Sequence, residues 1–269
     1  MSQYTIKPNL LDQIEPLVSE IRVFKKIDST NDEARRAIKS GISGINLIVA
    51  DAQTAGRGRR GKTWISPAGG LYMSFIFPFQ NDLTQPQALS LVAAISVKRS
   101  LEEWSVAPIK LKWPNDLLVE GKKLSGILLE LERSGGNTHV IFGIGVNYSL
   151  TVEQKLKIDR EVTDLNEQAE NIPSRERVIT KICIDLLNNV REFSGRGFGP
   201  FKPAWNESDH YLGSRVVIND GKSEKSGISL GVNERAELII ESDSGQELIS
   251  GGEISVGLRE IAGTISRDT

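Results

Sequence analysis

A glycine- and arginine-rich stretch at residues 53–64 carries the side chains best suited to chemistry on an anion, with the sequence QTAGRGRRGKTW. Its spacing matches the phosphate-loop pattern G-x-x-x-x-G-K-T and also the dinucleotide-binding pattern G-x-G-x-x-G. Glycines let the backbone close tightly on a ligand, and guanidinium groups donate paired hydrogen bonds to phosphate or carboxylate oxygens. The stretch therefore predicts an anion-binding loop, with a solvated, mobile surface loop as the alternative.

Both phosphate-loop patterns require a buried strand directly before the loop and a helix directly after it. Residues 47–50 can supply the strand. After Thr63, however, Pro67 and the pair Gly69-Gly70 stand where the first helical turns belong, and residues 71–77 favour a strand. We therefore predict a strand-loop-strand element, which excludes a P-loop nucleotide hydrolase and a dinucleotide-binding fold.

The helices that must position this loop have clear signals. One is predicted over 29–41, where Thr30 and Glu33 match a capping box and a glycine ends the helix. A second is predicted over 86–104, and a third, amphipathic helix over 174–190. The single cysteine of the chain lies on the apolar stripe of this third helix, so a core position is predicted for it.

Short runs of apolar and β-branched residues predict the strands of the first part of the chain. Because short turns join most of them, we expect a mixed or antiparallel sheet with helices on one face, an α+β fold. These strands are predicted over 22–27, 47–50, 71–77, 109–113, 117–120, 123–132 and 138–146.

Beyond Tyr211 the pattern changes to short alternating strands, which predict a small SH3-like β-barrel that needs a partner domain to bury its core. We therefore expect one domain over 1–210 and a second over 211–269. The predicted strands are SRVVIN, SGISLGV, AELIIES and LISGGEISVGLR, with turns at Asn219-Asp220-Gly221, Asn233 and Ser244-Gly245.

Composition places the chain in a broad class without naming a function. Its 269 residues are 39% hydrophobic and 25% charged, with a formal net charge of -2, as in ordinary soluble globular proteins. The sequence has no apolar run near the roughly 18 residues of a membrane span and no signal peptide. With one cysteine and a net charge near zero, we expect a cytoplasmic protein that binds neither membranes nor nucleic acid over a broad face.

Four segments, taken in order, resemble the biotin protein ligases. The resemblance covers about 22–190 firmly and the tail more loosely, through 250–253. It implies the catalytic fold shared by biotin and lipoate ligases and class II aminoacyl-tRNA synthetases, in the domain predicted over 1–210. The four segments are Asp28-Ser29-Thr30-Asn31, residues 53–61, Lys112-Trp113-Pro114-Asn115-Asp116 followed by 123–128, and residues 143–147.

Members of that family join biotin and ATP to give biotinyl-5′-AMP, and then transfer the biotinyl group to a lysine of a biotin carboxyl carrier domain, as in acetyl-CoA carboxylase. The resemblance therefore implies biotin, ATP with Mg²⁺ and a carrier domain as substrates, with no permanently bound cofactor and no fixed metal site. The two histidines, His139 and His210, do not have a metal-ligand spacing. A monomer and a homodimer remain open.

The resemblance also implies a role for each matching residue. Polar side chains at the start of the first helix and beside the loop would bind the ureido ring of biotin: Ser29, Thr30, Asn31 and Gln53. The loop would order over biotin and the phosphate when ligand arrives, through Gly56, Arg57, Gly58 and Arg59, and loss of Arg59 would let the adenylate escape. Trp64 would pack on the intermediate. Ser29 and Thr30 can cap the helix as well, since the two roles do not compete, and a core position is the alternative for Trp64.

Lys123 is the candidate for the chemical step, together with Arg59. Attack of a carboxylate on a phosphate brings two anions together, so a lysine near both lowers their repulsion; the alternative is an exposed hairpin lysine. Around it, the resemblance implies close backbone approach at Gly126, Gly143 and Gly145, and contacts to Mg²⁺-ATP or the acceptor amine from Asn115, Asp116 and Asn147.

Other activities fit less well. A lipoate or octanoate ligase shares the fold, but its ring-binding loop differs from this arginine-rich one. An RNA-binding module is the other alternative, but the chain lacks the interleaved aromatic residues and the broad positive charge that proteins binding single strands use. Too few residues precede the strand at 22–27 for the helix-turn-helix domain of the repressor ligases, so we expect the monofunctional type without DNA binding. In the tail, SGISLGVNERAEL departs from the glycine-rich turn expected there, which leaves the tail's role open.

Overall fold

The computed structural model describes residues 14–79, 86–219 and 223–256. Three parts of the predictions lie outside these residues: positions 1–13 of the predicted first domain, Asp220 and Gly221 of one turn, and the end of the last strand at 257–259. Among the described residues, no helix is both long enough and apolar enough to cross a membrane.

The first sheet has seven strands in the order β1-β2-β3-β7-β6-β5-β4. Only its outer pair, β1 and β2, is parallel, and the other pairs are antiparallel, so the sheet is mixed as predicted. The strand after the glycine loop is β3, which confirms the strand-loop-strand element. The strands are β1 (Glu20–Phe24), β2 (Asn46–Ala50), β3 (Gly70–Phe79), β4 (Ile109–Lys112), β5 (Asp116–Val119), β6 (Lys122–Ser134) and β7 (Asn137–Asn147).

Helices cover both faces of this sheet. Two long helices pack together on one face and bury alternate residues of the strands in the main core. The prediction of helices on one face is wrong, because Ala34, Ala37 and Ile38 of α1 pack on the opposite face, against Ile48 and Ile76. The helices are α1 (Thr30–Lys39), α2 (Pro86–Glu102), α3 (Val152–Leu156), α4 (Leu165–Gln168), α5 (Arg175–Arg196) and α6 (Lys202–Ser208).

The last part of the chain forms a five-stranded antiparallel sheet in the order β11-β10-β9-β8-β12. Its end strands, β11 and β12, do not pair with each other within the described residues, so the sheet there is open. The predicted strand LISGGEISVGLR is two strands, because the chain turns at Gly251-Gly252. The strands are β8 (Arg215–Asn219), β9 (Glu224–Val232), β10 (Leu238–Ser242), β11 (Gly245–Ile249) and β12 (Glu253–Val256).

The two sheets share one continuous apolar core, which includes Leu111 on β4, Trp113 directly after that strand, and Leu238 on β10. Trp113 Nε1 donates to the carbonyl of Ala236 at 3.4 Å, and His210 N donates to the carbonyl of Leu111 at 2.8 Å. A small sheet buries little apolar surface alone, so this shared core accounts for its packing. The domain boundary between 210 and 211 stays a prediction.

Candidate functional site

Strand register places a row of chemically distinct residues across one face of the first sheet. Lys112 pairs with Asp116, Asp116 with Gly126, Gly126 with Gly145, and Gly145 with Tyr72. Directly opposed residues of neighbouring strands share a face and lie roughly 5 Å apart. This is the face that α1 covers farther along the strands, and the two glycines leave its uncovered part hollow.

A cleft of about 620 Å³ opens over this hollow. Small-molecule sites have volumes of roughly 300–1,000 Å³. The indole of Trp64 lies on the glycine floor: a Cβ on Gly145 would stand 2.6 Å from the ring, and one on Gly126 would stand 2.8 Å from it. The ammonium of Lys123 lies 5.0 Å from the centre of the same ring. Trp64 is thus part of the cleft, and a side chain at either glycine would displace it.

The start of α1 is tied to the glycine loop (residues 53–64) through Gln53. The main-chain N and the Oγ1 of Thr30 donate to Gln53 Oε1 at 2.8 and 3.2 Å, and Gln53 Nε2 donates to Ser66 Oγ at 2.9 Å. Ser29, and not Thr30, caps the helix, because its Oγ accepts from the N–H of Asp32. The hydroxyl of Thr30 is thereby released from capping and turned toward the loop.

Asn31, the next residue of α1, is fixed by two opposite hydrogen bonds. Ser74 Oγ on β3 donates to Asn31 Oδ1 at 2.6 Å, and Asn31 Nδ2 donates to Glu130 Oε2 at 2.9 Å. A Cβ on Gly143 would clash with the Asn31 amide, so this glycine is required for the packing. The polar groups at the start of α1 are thus buried and held in fixed orientations, as recognition of a small polar ring requires.

The glycine loop crosses the cleft and is held at both sides. On the near bank, defined by Asp32 and Glu130, Arg57 Nη1 donates to Asp32 Oδ1 at 2.8 Å and Arg57 Nη2 lies 3.1 Å from Glu130 Oε1. The far bank is defined by Asn115, Asn219, Gly252 and Glu253. There, the loop contacts are Arg59 Nη1 to Asn115 Oδ1 at 3.3 Å and to Gly252 O at 3.4 Å, Arg60 Nη1 to Asn219 O at 3.0 Å, and Lys62 Nζ to Glu253 Oε2 at 2.7 Å.

Lys123 is a buried, paired lysine and not an exposed hairpin residue. Its side chain is 11% exposed, and its Nζ lies 2.6 Å from Asp116 Oδ1. Burial lowers the pKa of Lys123, and the adjacent carboxylate of Asp116 opposes that effect. Asn147 Nδ2 donates to the carbonyls of Lys123 and Thr163 at 3.1 and 3.0 Å. Asn147 therefore positions the lysine by holding its backbone.

Two further cations join Lys123 around Asp116. Arg160 Nη1 lies 3.9 Å from Asp116 Oδ2. The Nζ of Lys112 lies 5.7 Å from the ring centre of Tyr211, and burial lowers the pKa of this lysine. The resemblance named the segment containing Lys112 but gave that residue no role, and nothing in the sequence around Arg160 marked it. Several cations around one carboxylate leave a net positive charge, which suits phosphate groups.

The structure brings the predicted site residues together around one cleft, with the exception of Gly56. That glycine belongs to the loop but does not line the cleft: its carbonyl accepts from Trp64 N at 2.9 Å, and a Cβ there would clash with Ser66. Among the residues described, none group into a cluster of three or more side chains that could hold a metal ion. The lining residues from the prediction are Ser29, Thr30, Asn31, Gln53, Arg57, Gly58, Arg59, Trp64, Asn115, Asp116, Lys123, Gly126, Gly143, Gly145 and Asn147.

Known proteins resemble both parts of the chain. The biotin/lipoate A/B protein ligase family matches residues 23–147, and the biotin protein ligase C-terminal domain matches residues 211–257. The biotin--[acetyl-CoA-carboxylase] ligase of Paracoccus denitrificans is 32% identical over 243 residues, which are 87% of this chain and 100% of that protein. The bifunctional ligase/repressor BirA of Escherichia coli K12 is 31% identical over 238 residues, 88% of this chain and 74% of that one.

A solved structure matches the fold as well. The biotin protein ligase from Aquifex aeolicus, determined in complex with biotin and ATP, superposes with a TM-score of 0.74 at 33% sequence identity. The match covers 88% of this chain and 97% of the other.

Proposed function

The chain belongs to the biotin protein ligase family, and from this premise we propose that it makes biotinyl-5′-AMP from biotin and ATP and transfers the biotinyl group to a lysine of a biotin carboxyl carrier domain. The supporting observation is the position of Lys123 on β6. Toward β7 and β3 the cleft presents the fixed amide and hydroxyl groups at the start of α1; toward β5 and β4 it presents cations.

In the first step, Asn31, Thr30 and their neighbours hold the uncharged ureido ring, so that the carboxylate of biotin points along the glycine floor toward Lys123. One carboxylate oxygen forms a bond to the α-phosphorus of ATP, while the bond from that phosphorus to the β-phosphate oxygen breaks and pyrophosphate leaves. The ammonium of Lys123 stabilises the negative charge that accumulates on the reacting oxygens.

The cations toward β4 bind the rest of ATP. Lys112, Arg59 and Arg160 supply positive charge for the triphosphate and for the departing pyrophosphate. Mg²⁺ enters with ATP as part of the substrate. Asp116 offers a carboxylate oxygen to that ion, which fits the usual binding of Mg²⁺ through one or two carboxylates and substrate phosphates.

In the second step, the neutral amine of the carrier lysine attacks the acyl carbon of the adenylate, the bond from that carbon to the phosphate oxygen breaks so that AMP leaves, and the nitrogen loses a proton to solvent. Until then the mixed anhydride must be kept from water, and the glycine loop, held at both banks, is placed to do so. Asn115 and Asp116 lie at the far side of Lys123, where they can orient the incoming amine. A cytoplasmic location is part of the same proposal.

The test is pyrophosphate release from ATP and Mg²⁺ with biotin, lipoate or octanoate supplied separately, followed by the mass of an added biotin carrier domain. We expect release with biotin alone and a mass increase of one biotinyl group on the carrier lysine. Release with lipoate or octanoate and not with biotin would overturn the proposal in favour of a ligase of the same fold for another acid.

A further inference from the structure

Glu130 is a largely buried carboxylate beside the cleft that the steps above do not use. It lies on β6, on the same face as Gly126, and α1 packs over it. Its side chain is only 13% exposed. Three donors converge on it: Asn31 Nδ2 at 2.9 Å, Arg57 Nη2 at 3.1 Å and Arg35 Nη2.

Two of these donors, Asn31 and Arg57, belong to different regions of the cleft. Asn31 faces the part proposed for the ureido ring, and Arg57 begins the crossing of the glycine loop. Arg57 is also held by Asp32 of α1. The carboxylate of Glu130 therefore joins the ring-binding end of α1 to the loop that covers the ligand.

The chemistry of the group matters for this junction. An ionised carboxylate only accepts hydrogen bonds and can receive several at once, whereas an amide of the same shape has one acceptor oxygen and two N–H donors. An amide at position 130 would turn a donor toward either Asn31 or a guanidinium group. At least one of the three bonds would then be lost, and its donor would be left without that acceptor.

We propose that Glu130 is a positioning residue that couples recognition of biotin to closure of the glycine loop. It fixes the Asn31 amide with its oxygen toward Ser74, and it holds Arg57 against α1 so that Gly58 and Arg59 lie across the cleft. This inference rests on the proposed function. Occupation of the ring site and retention of the adenylate depend on the same carboxylate.

Glu132 provides a matched control. It lies two residues farther along β6 on the same face, and it also faces cations of α1, with distances of 3.9 Å to Arg35 and 4.0 Å to Lys39. No contact joins it to Asn31 or Arg57 in the described part of the chain. If the carboxylates of β6 only hold α1 on the sheet, Glu130→Gln and Glu132→Gln will change the free energy of unfolding to a similar extent. Neither variant will then change substrate binding.

The experiment compares these two variants with the full wild-type chain. Three quantities are measured: the KM for biotin and the kcat in pyrophosphate release, and the fraction of biotinyl-5′-AMP that stays with the protein after rapid gel filtration. For Glu130→Gln we expect a KM raised about tenfold, as loss of one charged hydrogen bond implies. We also expect less retained adenylate and a kcat lowered less than about threefold. Glu132→Gln should match wild type.

Arg57→Lys is a second variant that leaves the sheet intact and keeps the positive charge but not the paired donors. It should lower adenylate retention as Glu130→Gln does, and combining the two changes should add little. If Glu130→Gln cannot be folded, Arg57→Lys decides. The inference would be overturned if Glu130→Gln were active and had the wild-type KM for biotin and the wild-type retention of biotinyl-5′-AMP. If Glu130→Gln does not fold, the same result for Arg57→Lys would overturn it. Absence of biotin-dependent release from wild type would instead refute the proposed function.

Discussion

Lys123 is held by its backbone as firmly as by its ion pair. Its N–H donates to Glu161 O at 3.1 Å, and its carbonyl accepts from Thr163 N at 3.0 Å and from Asn147. A lysine side chain is flexible, so such anchoring reduces the freedom of its ammonium. This arrangement suits a charge that must already be in place before the transition state forms.

We expect Lys123→Met to lower kcat for pyrophosphate release by roughly 10²–10³-fold, because it removes the positive charge next to the reacting oxygens. Lys122→Met, at the exposed neighbouring position, is the control and should retain wild-type kcat. Single-turnover formation of biotinyl-5′-AMP measures the step directly. A loss of less than tenfold would remove Lys123 from the chemical step.

The pH dependence of that step should report the pair of Lys123 and Asp116. Burial places the pKa of Lys123 below its ordinary value of 10.5, and Asp116 raises it. Because the charged form is the active one, the rate should fall as pH rises through this pKa. Asp116→Asn removes the raising effect, so the alkaline limb of kcat/KM for pyrophosphate release should move to lower pH. A limb that stays in place would show that another group titrates there.

Residues within recognisable segments were predictable, and residues that act through distant partners were not. Ser29, Gln53 and Lys123 stand in segments whose types and spacing are informative. Glu130 meets Asn31 across 99 positions of sequence, and only the register of β6 against β7 brings it there. Arg160 likewise follows α3 in a segment without a distinctive pattern, so its place beside Asp116 required the structure.

Strands β6 and β7 form the floor of the cleft through Gly126 and Gly145, which have no side chains. Gly145→Ala should push the Trp64 ring from its place, because the added Cβ would stand 2.6 Å from it. Overpacking of this kind costs about 1–3 kcal/mol. We expect weaker biotin binding by titration calorimetry and a changed tryptophan fluorescence spectrum.

Gly195→Ala is the control for that change. Gly195 lies in α5, and a Cβ there meets nothing within 4 Å. It should leave biotin binding unchanged and stabilise the helix by up to about 1 kcal/mol. If Gly145→Ala binds biotin as tightly as Gly195→Ala, the glycine floor is not required for the ligand.

Elements were predicted better than their arrangement. Alternation and turn residues located β3 to β7, capping signals located α1, and the amphipathic pattern located α5. The same patterns do not tell on which face of a sheet an amphipathic helix will pack, so the position of α1 was missed. Strands β1 and β2 pair in parallel because α1 connects them. The break between β11 and β12 was missed because it interrupts a run of residues that otherwise favour a single strand.

For the molecule as a whole, the junction of the two sheets contains a buried acid. Burial raises the pKa of Asp209 to about 6, from 3.8, against the opposing effect of Lys110. The folded state therefore binds this proton more tightly than the unfolded state does, and stability from this group is lost as pH rises from about 4 to 6. At neutral pH the penalty is on the order of 3 kcal/mol.

Asp209→Asn should remove this penalty, because an amide carries no charge and its oxygen can still accept from Tyr211 N, as Asp209 Oδ1 does at 2.9 Å. The gain in unfolding free energy over wild type should be larger at pH 7.5 than at pH 4.5, measured by urea denaturation. Asp159→Asn, at a side chain 93% exposed, is the control for charge alone and should give no such difference. Equal gains at both pH values would contradict the prediction.

The whole molecule could be predicted in outline, as a large mixed-sheet part followed by a small β-sheet part. Its junction could not, because hydrogen bonds such as that from Trp113 to Ala236 join positions 123 apart in the chain. Trp113 stands in a recognisable segment, but no pattern in the sequence marks Ala236 as its partner. The contact of the loop with Glu253 is of the same kind, since a lysine and a glutamate on separate elements have many other partners in the sequence.

Most of the far bank of the glycine loop is made much later on the ribosome than the near bank. Asp32 and Glu130 precede or soon follow the loop, whereas Gly252 is 193 positions after Arg59. Synthesis proceeds at about 5–20 residues per second, so Asn219, Gly252 and Glu253 of the far bank are added at least several seconds after the loop has been made. A nascent chain can thus build the ring-binding end early, but it completes its cover over the reactive intermediate only when the second sheet has been translated.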